Sequence, residues 1–87
     1  MSQIVFAEDG WADYLSWQTQ DRKTLKRINM LIASIEREGP MNGLGKPEKL
    51  KYQGGYYSRR IDDANRLIYN IENGKIIIKS CRGHYGG

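Results

Sequence analysis

The sequence predicts an α+β domain in which two N-terminal helices pack on an antiparallel, twisted sheet. Three observations carry this expectation. Residues 22–38 repeat apolar side chains at helical spacing, with Leu25, Ile28, Leu31, Ile32 and Ile35 on one face. Beyond residue 47 the pattern changes to short, strand-like runs rich in Ile, Leu and Tyr. Between the last two runs stands Asn73-Gly74, a two-residue hairpin signal, because both central positions of that turn need positive φ.

The elements follow in order. Residues 3–7 form a short strand candidate. Residues 9–18 suit a helix with Trp11, Tyr14 and Leu15 at i, i+3, i+4 spacing, and Trp11 and Trp17 are expected as core or interface anchors. Asp21 is the expected N-cap of the second helix, which Gly39-Pro40 ends as a C′ glycine followed by proline should. Residues 41–47 hold two Gly and one Pro without periodicity and read as a loop. Strands are expected at 49–52, 56–61, 66–71 and 75–81.

The hairpin turn sets a register. Glu72 opposes Lys75, which puts Leu67, Tyr69, Ile71, Ile76 and Ile78 on one face, packed on the helices. Arg66, Ile68, Asn70, Ile77, Lys79 and Cys81 share the other face, with Arg66 opposite Cys81 and His84 three residues further on. Tyr57 and Ile61 belong to the core face by their alternation. An odd loop, Asp62-Asp63-Ala64, then places Tyr56, Ser58 and Arg60 on the Arg66 face, with Arg60 directly opposite Arg66. Two like charges so opposed destabilise a sheet, and an anion between them would relieve that.

Length and composition bound the function. Eighty-seven residues make one domain, 1–87, with a modest core. At 39% hydrophobic and 28% charged, the chain suits a globular protein rather than a disordered one. No apolar run reaches the roughly 18 residues of a membrane span, and the N-terminus lacks the basic and apolar regions of a signal peptide. The single Cys81 cannot form an internal disulfide. A cytoplasmic protein is therefore expected. Residues 1–45 carry five Lys/Arg against six Asp/Glu, whereas residues 46–87 carry nine against four. The excess positive charge is mixed with Tyr52, Tyr56, Tyr57, Tyr69 and Tyr85. That mixture fits either a nucleic-acid surface or a solvated basic face over core tyrosines.

The chemistry-bearing residues narrow this. His84 near Arg60 and Arg66 offers a proton donor beside charge stabilisers, the parts that phosphoryl transfer needs. RNA supplies its own nucleophile, the 2′-OH. Of the four carboxylates after residue 45, Glu48 is the best candidate base, because it opens a strand beside Lys49 and Lys51 while the others flank turns. Lys49, Lys51, Arg59 and Arg60 are the expected RNA-binding cations. One Cys and one His cannot build an ordinary zinc site, and neither a Walker A loop nor a GxGxxG motif is present. No cofactor or metal is expected.

Read together, Gly45-Lys46-Pro47-Glu48-Lys49-Leu50-Lys51, Tyr57-Ser58-Arg59-Arg60-Ile61, Asn65-Arg66-Leu67-Ile68-Tyr69 and His84-Tyr85 resemble the YoeB/Txe toxins of bacterial toxin–antitoxin modules. Trp11-Ala12-Asp13-Tyr14-Leu15-Ser16-Trp17 resembles that family's W-x-D-Y-x-x-W opening. The resemblance implies a RelE-like fold and a metal-independent endoribonuclease that cuts mRNA in the ribosomal A site. It implies Glu48 as general base, Arg66 as the phosphate-stabilising residue, His84 as general acid and Tyr85 as a substrate-holding residue. It also implies supporting roles for Lys51 and Arg60, a cognate YefM/Axe-like antitoxin, and the ribosome and mRNA as partners, with a homodimer as a further expectation. The chain departs from the family pattern at Gly83 and at Gly86-Gly87. Two other readings compete: a ParE-like inhibitor of topoisomerase, and a non-catalytic RNA-binding regulator of translation.

Overall fold

The computed structural model describes residues 2–51 and 54–83. The chain runs β1 (Gln3–Phe6), α1 (Glu8–Gln20), α2 (Arg22–Glu38), β2 (Glu48–Lys49), β3 (Tyr57–Arg60), β4 (Arg66–Glu72) and β5 (Lys75–Ser80). One five-stranded sheet has the order β1-β5-β4-β3-β2. The pairs β2–β3, β3–β4 and β4–β5 are antiparallel as expected. The sheet is nonetheless mixed, because β1 lies parallel to β5, with Gln3 beside Lys75 and Phe6 beside Ile78. A parallel pair needs a long crossover, and both helices lie in the connection between these two strands.

Helix α2 forms for the reasons its sequence gives. The Asp21 carboxylate accepts from Lys23 N and Thr24 N at 3.1 and 3.3 Å, and from Thr24 Oγ1 at 2.8 Å. The Thr24 hydroxyl contributes most to holding the Asp21 carboxyl below its ordinary range. At the other end Gly39 takes φ 91°, and its N–H donates to Ile35 O. Between these caps Ile28, Leu31 and Ile35 are buried against Leu67, Tyr69, Ile76 and Ile78 of the sheet.

Helix α1 packs differently from its simplest helical reading. Trp17 is buried, but Trp11 and Leu15 are 48% and 43% exposed. Trp11 instead joins Phe6 and Tyr14 in an aromatic cluster, with centroids 5.5 and 6.1 Å away. The face that meets β5 carries Gly10, where an added Cβ would lie 2.3 Å from Ile78 O. Only glycine lets the helix approach the strand so closely. The same helix then holds the chain as it leaves β5: Trp17 Nε1 donates to Cys81 O at 2.8 Å, and Cys81 N donates to Asp13 Oδ2 at 2.9 Å. Arg82 lies 3.9 Å over the Trp17 ring and donates to Ser16 Oγ and Gln20 Oε1. Asp13, Ser16, Trp17 and Gln20 are therefore the clamp on residues 81–82.

The hairpin register holds from Glu72–Lys75 to Tyr69–Ile78 and then slips, so that Ile68 pairs with Ser80. The bulge inserts one extra residue, which reverses side-chain parity beyond it. Cys81 consequently does not face Arg66 but enters the core, fully buried. Burial, and next the Asp13 carboxylate, push its thiol up to about 12. Ile71, expected in the core, is 40% exposed, since it sits near the turn end of the hairpin.

Candidate functional site

Strand β3 carries two consecutive arginines, and the pleat sends them to opposite faces. Arg60 pairs with Arg66 across β3–β4, as the odd loop required. Both guanidiniums are held by the connecting turn. Arg60 is ion-paired with Asp63, while Arg66 Nη1 donates to Asp62 O at 2.8 Å and to Asn65 O at 3.3 Å. Asp62 organises that turn, its Oδ1 accepting from Ala64 N and Asn65 N. The like-charge opposition is thus eased by one carboxylate and two carbonyls.

On the other side of β3, Ser58 pairs with Glu48. Glu48, Ser58, Arg60, Arg66 and Lys46 line one hollow of about 160 Å³. Directly opposed residues have Cβ atoms about 5 Å apart, and alternate residues along a strand stand about 7 Å apart. The hollow therefore joins one carboxylate to three cations within the span of a single nucleotide linkage. A larger depression of about 640 Å³, lined by Ser2, Ala33, Glu36, Arg37 and Gly74, holds one carboxylate and one guanidinium and no such convergence. Among the described residues no group of three His, Cys, Asp or Glu is placed to hold a metal ion. Among the described residues no helix is long and apolar enough to cross a membrane.

The structure brings Glu48, Arg60 and Arg66 together. Lys49 and Lys51 are exposed but do not line the hollow. Lys49 pairs with Tyr57, so it alternates away from Glu48. Lys46 was missed by the sequence reading. It takes φ 51° between Gly45 and Pro47, a left-handed conformation that costs about 1 kcal/mol for a residue with a Cβ and that its side chain alone does not announce. His84 and Tyr85 lie outside the described residues. The chain before them is fixed at Gly83, whose N–H donates to Asn65 Oδ1 at 2.8 Å and whose carbonyl accepts from Arg66 N at 2.9 Å.

Arg59 corrects the expectation of an RNA-binding cation. It is fully buried. Its Nε donates to Tyr69 Oη at 2.9 Å and its Nη1 to Ser34 Oγ and Leu44 O. Its Nη2 donates to Gly39 O at 2.7 Å and Asn42 O at 2.6 Å. Ser34 in turn donates to Glu38 Oε2 and accepts from Leu44 N. Burial raises the Tyr69 phenol above its ordinary range, against the pull of Arg59, and its hydroxyl donates to Pro40 O at 2.6 Å. These bonds pin residues 39–44, and Arg60 N donates to Gly45 O at 2.6 Å. Gly43 completes the loop: at φ 101°, a Cβ there would meet Glu38 Oε2 and Ser34 Oγ. Arg59 thus shapes the segment that delivers Lys46 and Glu48 to the site. The signal was present in the alternation, since Arg59 lies between the two core residues Tyr57 and Ile61.

Residues 6–85 match the model of the YoeB-like toxin of bacterial type II toxin–antitoxin systems. A curated relative, toxin YoeB of Streptomyces coelicolor, is 50% identical over 95% of this chain and 99% of its own. The YoeB dimer from Staphylococcus aureus superposes with a TM-score of 0.91 at 46% identity, covering 97% of this chain and 98% of that one. The YoeB–YefM complex from the same organism gives 0.89 at 44% identity, covering 98% and 99%. The match spans nearly the whole chain in sequence and in fold, and the chain belongs to the YoeB-like toxin family.

Proposed function

We propose that the chain is a ribosome-dependent mRNA endoribonuclease that inhibits translation and is neutralised by a cognate antitoxin. The observation that carries this reading is the convergence of the Glu48 carboxylate with Lys46, Arg60 and Arg66 in one hollow. In the reaction, Glu48 takes the proton of a ribose 2′-OH. The 2′-oxygen forms a bond to the adjacent phosphorus as the bond from phosphorus to the 5′-oxygen breaks. Arg66, with Arg60 beside it, holds the charge that builds on the non-bridging oxygens, which is the largest service a preorganised site provides. His84 gives a proton to the departing 5′-oxygen, and Tyr85 helps to hold the substrate. The products are a 2′,3′-cyclic phosphate, or the 3′-phosphate formed when water opens it, and a 5′-OH end.

The bonds that tie Gly83 to Asn65 and Arg66 hold the last described residue beside the arginine pair, and the role of His84 rests on the family pattern. The hollow is small, so it grips one linkage and reads little sequence. Selection of the site is assigned to the ribosome, which presents unpaired mRNA. The Staphylococcus aureus complex with YefM and the YoeB dimer support a YefM-type antitoxin and a second copy of the chain as partners. An acidic segment that folds on binding would match the basic hollow.

The test is translation in a cell-free extract with mapping of mRNA ends. Glu48→Gln and His84→Ala should each remove the A-site cuts that the parent makes. Cutting at the parental rate by both variants would show the assigned chemistry to be wrong. Inhibition of gyrase with ribosome-bound mRNA left intact would favour the topoisomerase reading.

A further inference from the structure

We infer that Ser58 is a substrate-contacting residue whose hydroxyl binds the ribose 2′-oxygen at the scissile linkage; this rests on the ribonuclease reading above. Ser34, Ser58 and Arg59 are all polar and buried. Two of the three satisfy one another: Arg59 uses all its nitrogens on Tyr69, Ser34 and three carbonyls, and Ser34 both donates and accepts. Ser58 differs. It is only 1% exposed, yet its Oγ has no hydrogen bond among the described residues. Among the described residues the buried side-chain polar atom left without a partner is Asn70 Oδ1, so the Ser58 hydroxyl is not sealed from its surroundings. Because Ser58 lines the hollow, the exposure it keeps opens onto the site.

Its position identifies the atom it serves. Ser58 is the direct cross-strand partner of Glu48. It also lies two residues from Arg60 on the same face of β3, and Arg60 opposes Arg66. Ser58 thus stands between the proposed base and the proposed phosphate cage. The substrate atom that lies between a base and a phosphorus in this reaction is the 2′-oxygen. A serine hydroxyl can donate to that oxygen or accept from it, so it can hold the nucleophile as its proton passes to Glu48. Alternation in the sequence already puts this serine on the Arg66 face, but nothing there marks its hydroxyl as a substrate contact.

The test sets Ser58→Ala beside the parent and Glu48→Gln, in single-turnover cleavage of mRNA on programmed ribosomes, with thermal unfolding of each protein. Ser58→Ala should cut about 10-fold or more slowly at saturating toxin, the effect of one hydrogen bond in the transition state. Its half-saturating concentration should stay within about twofold and its Tm should match the parent's, because the variant breaks no hydrogen bond among the described residues. A structural role would lower Tm. Parental cutting by Ser58→Ala, a loss confined to the half-saturating concentration, or slow cutting with a lowered Tm each overturns the assignment. If Glu48→Gln is inactive while Ser58→Ala cuts normally, only the serine is wrongly assigned. If Glu48→Gln also cuts normally, the ribonuclease site itself fails.

Discussion

Arg59 and Arg60 are neighbours in sequence and carry the same guanidinium, yet they serve opposite sides of one strand. Arg59 points inward and spends its donors on Tyr69, Ser34 and the carbonyls of Gly39, Leu44 and Asn42. Arg60 points outward, faces Arg66, and among the described residues its guanidinium is held by an exposed ion pair with Asp63. The difference lies in the pleat rather than in the side chain. A charge inside a protein persists when every donor is met, whereas one at a surface pair contributes little to stability. The inward arginine is committed to the fold. In the proposed reaction the outward one exchanges its surface carboxylate for a phosphate.

The largest effect should come from Arg59→Ala. It leaves buried acceptors without donors and opens a cavity, costing about 4 kcal/mol. In a domain of this size that lowers Tm by about 15 °C or more, which circular dichroism melting will read. Arg66→Ala should instead keep Tm within about 5 °C while slowing single-turnover mRNA cleavage by about 100-fold or more, as loss of a charge-stabilising donor does. Arg60→Ala should keep Tm similarly and slow cleavage by about 10- to 100-fold, the range for a hydrogen bond to a charged group. Ser34→Ala removes one acceptor of Arg59, the acceptor of Leu44 N and the donor to Glu38, and should cost about 1–2 kcal/mol in denaturant unfolding.

A pH-dependent effect concerns Cys81, whose folded thiol is raised from 9.0 to about 12. Its proton is held more tightly in the folded chain than in the unfolded one. The contribution is therefore whole below pH 9 and declines as pH rises toward 12. Melting of the parent against Cys81→Ala from pH 8 to 10.5 should show the parent's advantage shrinking only above pH 9.

Much of this was legible in the residues. Asp21, the apolar face of α2 and Gly39 specify that helix from within its own segment. Asn73-Gly74 and the odd Asp62-Asp63-Ala64 loop fix registers because their lengths determine parity, and this is why Arg60 could be set opposite Arg66. What was not legible depends on tertiary packing. The bulge beside Ile68 has no turn residue to mark it, and it moves Cys81 from the arginine face into the core. Trp11 and Leu15 have helical spacing but lie on the side that Gly10 and Trp17 turn away from β5. Lys46 reaches the hollow through a left-handed backbone, and alternation set Ser58 on the arginine face without showing that it pairs directly with Glu48. Arg59 misleads because charge predicts exposure, although the alternation of Tyr57 and Ile61 already placed it inside.

The division between the two arginine faces is tested most directly by cleavage of ribosome-bound mRNA with Arg60→Ala, at a temperature where its melting curve shows it folded. The account predicts a protein as stable as the parent, within about 5 °C of its Tm, and slower in cutting by about 10-fold or more. Parental cutting by that folded variant would contradict the account, because the outward face would then carry no part of the chemistry assigned to it.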